Sequence, residues 1–332
     1  MPNRKTFDGF YRQIKDGDDI LQLAEKFEMT DTEIVGLIEL MSITGYKIEI
    51  VNVDNKFVVN KGLKMRRSKR LEKPNKEDLK LLKLGVVSDT HLGSKLQQLT
   101  LLNKFYQKGY EREVDAFVNC GDVCDGDYRN RPEHLHSLFA IGADQQVDNV
   151  LEYYPEVNGI NTFFITGSHD ETHIKNGGTD FGKAVAKNRK DMIYLGPDES
   201  TIEFDKVLIE AKHPGGGSAK AWSYKPQRII EDMPSGHKPK AIFIGHYHKC
   251  LYMLYRNVHA ALIPCMVDQS QFMKKQSLAN IVGGYFFDIY YDNDGSIHYM
   301  LPEPMLFGPK DMIENDYPTP KANRRCKKLT IH

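Results

Sequence analysis

Aspartate and histidine recur in this chain directly after short apolar runs, a placement suited to binding metal ions. Leu84-Gly-Val-Val87 leads into Asp89 and His91, and Ala116-Phe-Val-Asn-Cys120 into Gly121 and Asp122, with Asp125 close behind. Thr162-Phe-Phe-Ile-Thr166 gives way to Gly167, Ser168, His169 and Asp170. Val207-Leu-Ile-Glu-Ala-Lys212 ends at His213, and Lys240-Ala-Ile-Phe-Ile244 runs into Gly245, His246 and His248. An apolar, β-branched run closed by a turn predicts a strand buried on both faces. Residues just past its carboxyl end face the crevice where α/β sheets bind ligands. Asp89 and His91, two apart at such an end, can offer a carboxylate oxygen and an imidazole nitrogen to one cation of borderline hardness. Strand ends of this kind gathered on one rim would enclose two metal ions.

The order of these motifs, from about Leu84 to the strands after His248, resembles the calcineurin-like metallophosphoesterases and, within them, the Mre11/SbcD-type nucleases. The resemblance implies an α/β chain with a four-layer αββα sandwich. It also implies phosphodiester hydrolysis by a metal-bridging hydroxide, with DNA as substrate. By the same resemblance Asp89, His91 and His248 hold one metal, Asp122 bridges both, and His213 and His246 help hold the second. His169 matches the family's catalytic histidine and Asp170 the carboxylate that orients it. Two divalent ions are expected, manganese by resemblance, although mixed Asp and His donors also suit iron or zinc.

Two departures from the family pattern keep other functions open. The family's Gly-Asn-His-Asp is Gly167-Ser-His-Asp170 here, so Ser168 offers a neutral hydroxyl where an asparagine carbonyl would ligate the second metal. The chain also leaves little length for the DNA-capping domain of Mre11-like nucleases. The alternatives are a phosphomonoesterase, a small-molecule or cyclic-nucleotide phosphodiesterase, or a catalytically impaired binding or scaffold protein. Beyond the metal ligands, Arg129 or Arg131 can pair with a substrate phosphate and Tyr128 can stack on a base. The run Gly215-Gly-Gly217 gives backbone that a bulky ester can approach closely.

The elements that must position these residues follow a βαβ rhythm. Gln97 to Tyr110 suits a first crossover helix and Pro132 to Leu151 a second. His134 and His136 fall in the second, where no strand end holds them, and are read as core or surface histidines. Gly283 to Tyr291 and Ser296 to Leu301, around Asn293-Asp-Gly295, predict strands of a second sheet. This metallophosphoesterase domain is placed at 84–310.

Ahead of it, residues 1–60 predict a small winged-helix-like domain. Asp18 or Asp19 can cap a helix bearing Ile20, Leu23, Ala24 and Phe27, and Thr30 with Glu33 makes a capping box for a second helix. Two strands follow around Asp54-Asn55. The charges argue against simple duplex binding. Residues 1–60 carry seven Lys or Arg against eleven Asp or Glu, and the helix from Asp31 to Thr44 has no basic residue, whereas duplex binding needs cations to displace counterions. A DNA contact and a docking surface for a protein partner or a second copy both stay open. The cations lie instead in 61–83, with ten Lys or Arg against three acids and Arg66 and Arg67 at its centre. That stretch reads as a basic linker with a short helix near Glu77 to Leu82, either leading phosphates toward the metals or serving as a solvated hinge. Residues 311–332 read as a basic tail around Arg324, Arg325, Lys327 and Lys328.

Composition sets the outer bounds. A chain of 332 residues with 40% hydrophobic residues, 27% charged and zero formal net charge suits ordinary globular domains. Five cysteines without a Cys-x-x-Cys pair suit scattered reduced thiols. No apolar run reaches the ~20 residues of a bilayer span, and the start lacks a hydrophobic signal core. A cytoplasmic, non-membrane location is therefore expected.

Overall fold

The apolar runs that end in ligand-type residues become neighbouring strands. The computed structural model describes residues 4–15, 17–53, 56–61, 79–217, 219–234, 238–278, 280–318 and 328–331. The chain divides into two units, Met1–Asn75 and Lys76–His332.

The first unit is α1 (Arg4–Gln13), α2 (Ile20–Phe27), α3 (Asp31–Ile43), β1 (Ile48–Val53) and β2 (Lys56–Lys61), the two strands pairing antiparallel. Its local signals act as written. The Asp19 carboxylate accepts from the Leu21 N–H, and Thr30 and Glu33 form a complete capping box on α3. Ile20, Leu23, Ile34, Ile38, Met41, Ile48 and Val59 bury against one another as the core of this unit. Helix α1, which precedes the elements expected from the sequence, adds Phe7 and Phe10 to it. The Asp54-Asn55 turn and the basic segment with Arg66 and Arg67 lie outside the described residues.

In chain order the second unit begins β3 (Lys80–Val87), α4 (Leu99–Glu111), β4 (Ala116–Asn119), α5 (Gly142–Tyr153), β5 (Glu156–Val157), β6 (Thr162–Thr166), α6 (Thr172–Lys175) and α7 (Phe181–Asn188). It continues with β7 (Met192–Pro197), β8 (Glu199–Phe204), β9 (Val207–Lys212), α8 (Tyr224–Asp232), β10 (Ala241–Ile244), β11 (Leu251–Tyr255) and β12 (Val258–Leu262). The last elements are α9 (Gln271–Lys275), β13 (Val282–Tyr291), β14 (Ile297–Phe307) and β15 (Thr330–Ile331). One sheet has the order β14-β13-β3-β4-β6-β7, with β3, β4, β6 and β7 parallel. The other has the order β11-β12-β10-β9-β8, with β10 parallel to both its neighbours. Apolar side chains from both sheets, including Leu84, Val86, Val118, Ile209, Phe243 and Phe287, share one core. Phe243 and Phe287 stack across it at 4.7 Å between ring centroids. Truncating either to Ala would cost about 3–5 kcal/mol. Residues of α4, α5 and α7 cover the six-stranded sheet and Ile230 of α8 covers the five-stranded one. This is a mixed α/β fold with two packed sheets.

Three local expectations are corrected. The helix expected over 132–151 is a 3-10 turn, Pro132–Ser137, followed after a break by α5. Ile141 is extended and Gly142 has φ 82°, which no continuing helix permits. The short helix expected near Leu82 is strand from Lys80 onward, because Lys80, Leu81 and Leu82 pair with Tyr291, Tyr290 and Ile289. The carboxyl-terminal stretch is in part packed: the Asp316 carboxylate accepts from the Thr100 N–H at 2.6 Å, Tyr317 stacks on Phe139, and β15 pairs with β5. Arg324, Arg325 and Lys327 lie outside the described residues. Among the described residues no helix is long and apolar enough to cross a membrane.

Candidate metal centre

Three of the strands, β3, β4 and β10, place their polar followers by a turn that costs backbone energy. Asp89, His91, Asp122, His246 and His248 all have left-handed backbone, with φ between 44° and 73°. Such conformations cost about 1–3 kcal/mol each in a non-glycine residue and persist only where the surroundings fix them. Two glycines are required here by close approach. A Cβ on Gly245 would strike Ser88 Oγ and the Cys120 carbonyl, and one on Gly167 would strike Asp122 Oδ1 and the His213 ring. The Gly-then-ligand spacing is thus a packing requirement of the rim.

Among the described residues three Asp/His groups have ligand atoms close enough to hold a metal ion: Asp89 with His91 and His248, Asp122 with His213 and His246, and His91 with Asp125 and His169. In the first, Asp89 Oδ1 lies 3.2 Å from His248 Nε2 and 3.9 Å from His91 Nε2. In the second, Asp122 Oδ2 lies 3.0 Å from His213 Nε2. Yet Asp89 Oδ1, His91 Nε2 and His213 Nε2 are buried and make no aligned hydrogen bond within the chain. Buried polar atoms are rarely left so, and carboxylate oxygens turned toward imidazole nitrogens without bonding them are what a divalent cation completes. The residues fit a divalent metal site.

The other atoms of these side chains are engaged. Asp89 Oδ2 accepts from Ser88 Oγ at 2.5 Å and from the His246 N–H at 2.9 Å. His91 Nδ1 meets Asp125 Oδ1 at 2.8 Å, and His248 Nδ1 meets Asn280 Oδ1 at 2.9 Å. His213 Nδ1 donates to the Cys120 carbonyl and His246 Nε2 to the Gly216 carbonyl, both at 2.7 Å. Such outer contacts fix the tautomer and the ring plane of a ligating imidazole.

Electrostatics follow from this crowding. Burial opposes ionisation of Asp122, but the imidazoles of His213 and His169 outweigh it and hold the carboxyl well below the usual range. Burial likewise opposes the His213 imidazolium, yet Asp122 and Asp89 push its pKa up to about 10. His248 is raised against burial by Cys265 and Asp89. His91 and His246 are both lowered, first by burial and then by a neighbouring imidazole. Each of the first two groups therefore pairs one imidazole that favours its proton with one that sheds it.

His169 stands beside both groups. Its N–H donates to Asp122 Oδ1 at 2.8 Å, and its ring meets that of His91 edge-on at 4.4 Å. The assignment of Asp170 as its orienting carboxylate is corrected. The Asp170 carboxylate accepts instead from the backbone N–H groups of Val123, Cys124 and Gly167 at 2.8 to 3.1 Å. It ties the loop after β4 to the loop after β6. Adjacent residues on a tight turn point apart, and the His169 side chain turns toward Asp125, whose carbonyl accepts from Nδ1 at 2.7 Å and whose Oδ1 lies 3.4 Å away. Against the opposing effect of burial, Asp122 and Asp125 raise His169 to about 9.

Asp125 was visible in the sequence just past Asp122, but nothing there assigned it a role. His134 is a second correction: its Nε2 lies 3.3 Å from Asp125 Oδ2, so it borders the centre. Asn280 carried no signal at all. Ser168 is half-buried, and the ring of Tyr128 stands edge-on to His169 at 4.9 Å. Arg131 lies over the Tyr128 ring at 5.1 Å, while Arg129 is exposed and 3.9 Å from Asp127. Of the proposed substrate contacts, Tyr128 and Arg131 border the centre and Arg129 turns outward.

Comparison with known proteins agrees with this geometry. Residues 82–250, just over half of the chain, match the family model described as calcineurin-like phosphoesterase. No curated protein matches the chain. Among solved structures, a novel archaeal phosphodiesterase is 13% identical, covering 68% of this chain and 100% of its own, with a TM-score of 0.37. Vps29 from Entamoeba histolytica complexed with zinc is 12% identical over 68% and 100%, with a TM-score of 0.32. A hypothetical protein from Pyrococcus horikoshii is 8% identical over 70% and 90%, with a TM-score of 0.37. On the family match, which spans every strand end from Asp89 to His248, the chain belongs to the calcineurin-like phosphoesterases.

Proposed function

We propose that the chain is a dinuclear-metal-dependent phosphodiesterase acting on nucleic acid. The observation that carries the reading is the pair of buried Asp/His groups with outward-bonded imidazoles and unpartnered inner atoms, flanking one further histidine. Asp89, His91 and His248 would hold one cation and Asp122, His213 and His246 the other, with Asp122 shared. Bound there, divalent cations supply Lewis acidity toward phosphoryl oxygens and a nucleophile at neutral pH. Asp and His donors suit manganese, iron or zinc, and manganese is the first to test. His169, held through Nδ1 by Asp125, keeps Nε2 for the substrate, where it can stabilise developing charge or protonate the leaving oxygen. Tyr128 and Arg131 flank that position. The narrower reading, an Mre11/SbcD-type DNA nuclease, rests on motif order alone.

The test is turnover of bis(4-nitrophenyl) phosphate, single-stranded DNA, 4-nitrophenyl phosphate and a cyclic nucleotide by the manganese-loaded protein, beside a His169→Ala control. Diester turnover that His169→Ala lowers about 10²- to 10⁴-fold is the expected result. Faster monoester turnover would move the reading to a phosphomonoesterase, and no turnover of any ester to a binding protein.

For the amino-terminal unit we propose a winged-helix-type module that docks protein. Helix α3 has no basic residue and exposes Leu40 and Ile43, which suits an apolar partner surface better than a phosphate backbone.

A further inference from the structure

The segment that follows His213 is basic and aromatic. No Asp or Glu occurs between Glu210 and Glu231, whereas Lys212, Lys220, Lys225 and Arg228 do, with Trp222 and Tyr224 among them. Trp222 is 37% exposed and Tyr224 53%, so both rings present part of their surface to solvent. The segment is held to the rim at two points. His246 Nε2 donates to the Gly216 carbonyl at 2.7 Å, and Lys249 Nζ donates to the Ala219 carbonyl at 3.0 Å. Lys249 follows the ligand-type His248 directly, is itself buried, and places its ammonium 5.4 Å from the Trp222 ring. Trp222 is therefore partly exposed beside a buried cation, on a segment tied through Gly216 and Ala219 to the residues that follow β10.

We propose that Trp222 and Tyr224, with Lys220, Lys225 and Lys249, form a stacking platform for a base of a single-stranded nucleic acid whose neighbouring phosphate enters the metal centre. The proposal rests on the phosphodiesterase reading for that last clause only. Aromatic faces stack on any base and the cations follow the backbone. The platform therefore selects an unpaired strand without selecting its sequence, because a base within a duplex cannot offer its face.

Trp222 is the sole tryptophan of the chain, so its emission reports on this site alone. In a His169→Ala background, which slows cutting of the strand about 10²- to 10⁴-fold, a fluorescein-labelled oligodeoxythymidylate should quench that emission. In the same background Trp222→Ala should weaken binding by anisotropy about 5- to 150-fold, the range for losing one stacked base. Trp222→Phe should recover most of the loss, and an abasic oligomer should bind with and without Trp222→Ala alike. Unchanged emission together with equal affinity of the two proteins for the oligodeoxythymidylate overturns the platform. Turnover of bis(4-nitrophenyl) phosphate by the wild-type protein is read separately. Turnover without Trp222-dependent binding removes the platform and leaves the phosphodiesterase, whereas Trp222-dependent binding without turnover removes the phosphodiesterase and leaves the platform.

Discussion

The two halves of the metal centre use the same residue types and support them differently. Around Asp89, the imidazoles lean on side chains, His91 on the Asp125 carboxylate and His248 on the Asn280 amide. Around Asp122, they lean on backbone carbonyls, His213 on Cys120 and His246 on Gly216. A carboxylate behind an imidazole raises its basicity as a ligand more than a neutral carbonyl does. Ser168 adds to the asymmetry, since a neutral hydroxyl stands where the family has an amide. The half around Asp89 is therefore expected to hold its cation more tightly.

The strongest test of the comparison is to remove the group proposed to belong to both halves. Asp122→Asn should abolish diester turnover and reduce bound metal to one ion or fewer, read by elemental analysis of dialysed protein. If two ions remain, Asp122 is not shared. His169→Ala should lower turnover about 10²- to 10⁴-fold while leaving metal content unchanged, and a parallel loss of metal would make His169 a ligand.

The outer contacts come next. Asp125→Asn and Asn280→Ala should each weaken one ion about 10- to 100-fold by calorimetric titration and leave the other nearly unaffected. Equal weakening of both ions would dissolve the distinction between the halves. Asp125→Asn should also lower turnover, since the same side chain stands beside His169.

Protons sharpen the comparison further. In the metal-free protein His213 and His169 have pKa values raised to about 10 and about 9 from an ordinary 6.5. A raised pKa means that the folded state holds the proton more firmly. Its contribution to stability is then fully present below pH 6.5 and fades as pH rises through about 9 and about 10. Chelator-treated protein should lose thermal stability between pH 7 and 10, and metal-loaded protein should lose less, because the cations take the place of those protons. Metal binding near pH 7.5 should release protons, measurable by calorimetry in buffers of different ionisation enthalpy. The smallest effect is expected from Ser168→Asn, a several-fold gain in affinity for the weaker ion alone. A gain at the tighter ion would place Ser168 in the other half.

The positions of the ligands were legible because strand ends and their glycines are local features. Leu84–Val87 and Ala241–Ile244 are apolar enough to be buried whichever way the chain folds, and the rim residues follow them at fixed spacing. The caps at Asp19 and Thr30 were legible for the same reason, since each bonds within three residues. The support of the imidazoles was not legible. Asn280 lies 32 positions from His248 and Asp125 lies 44 from His169, and no local pattern marks either partnership.

By itself, then, the sequence determined which residues stand at the strand ends, because burial of an apolar run and the steric need for glycine act over a few residues. The tertiary structure alone decided how those residues are used. It gave His169 to Asp125 and turned Asp170 to three backbone amides, and it brought His134 to the border of the rim. These are choices among partners distant in the chain, settled by how two sheets and their loops pack.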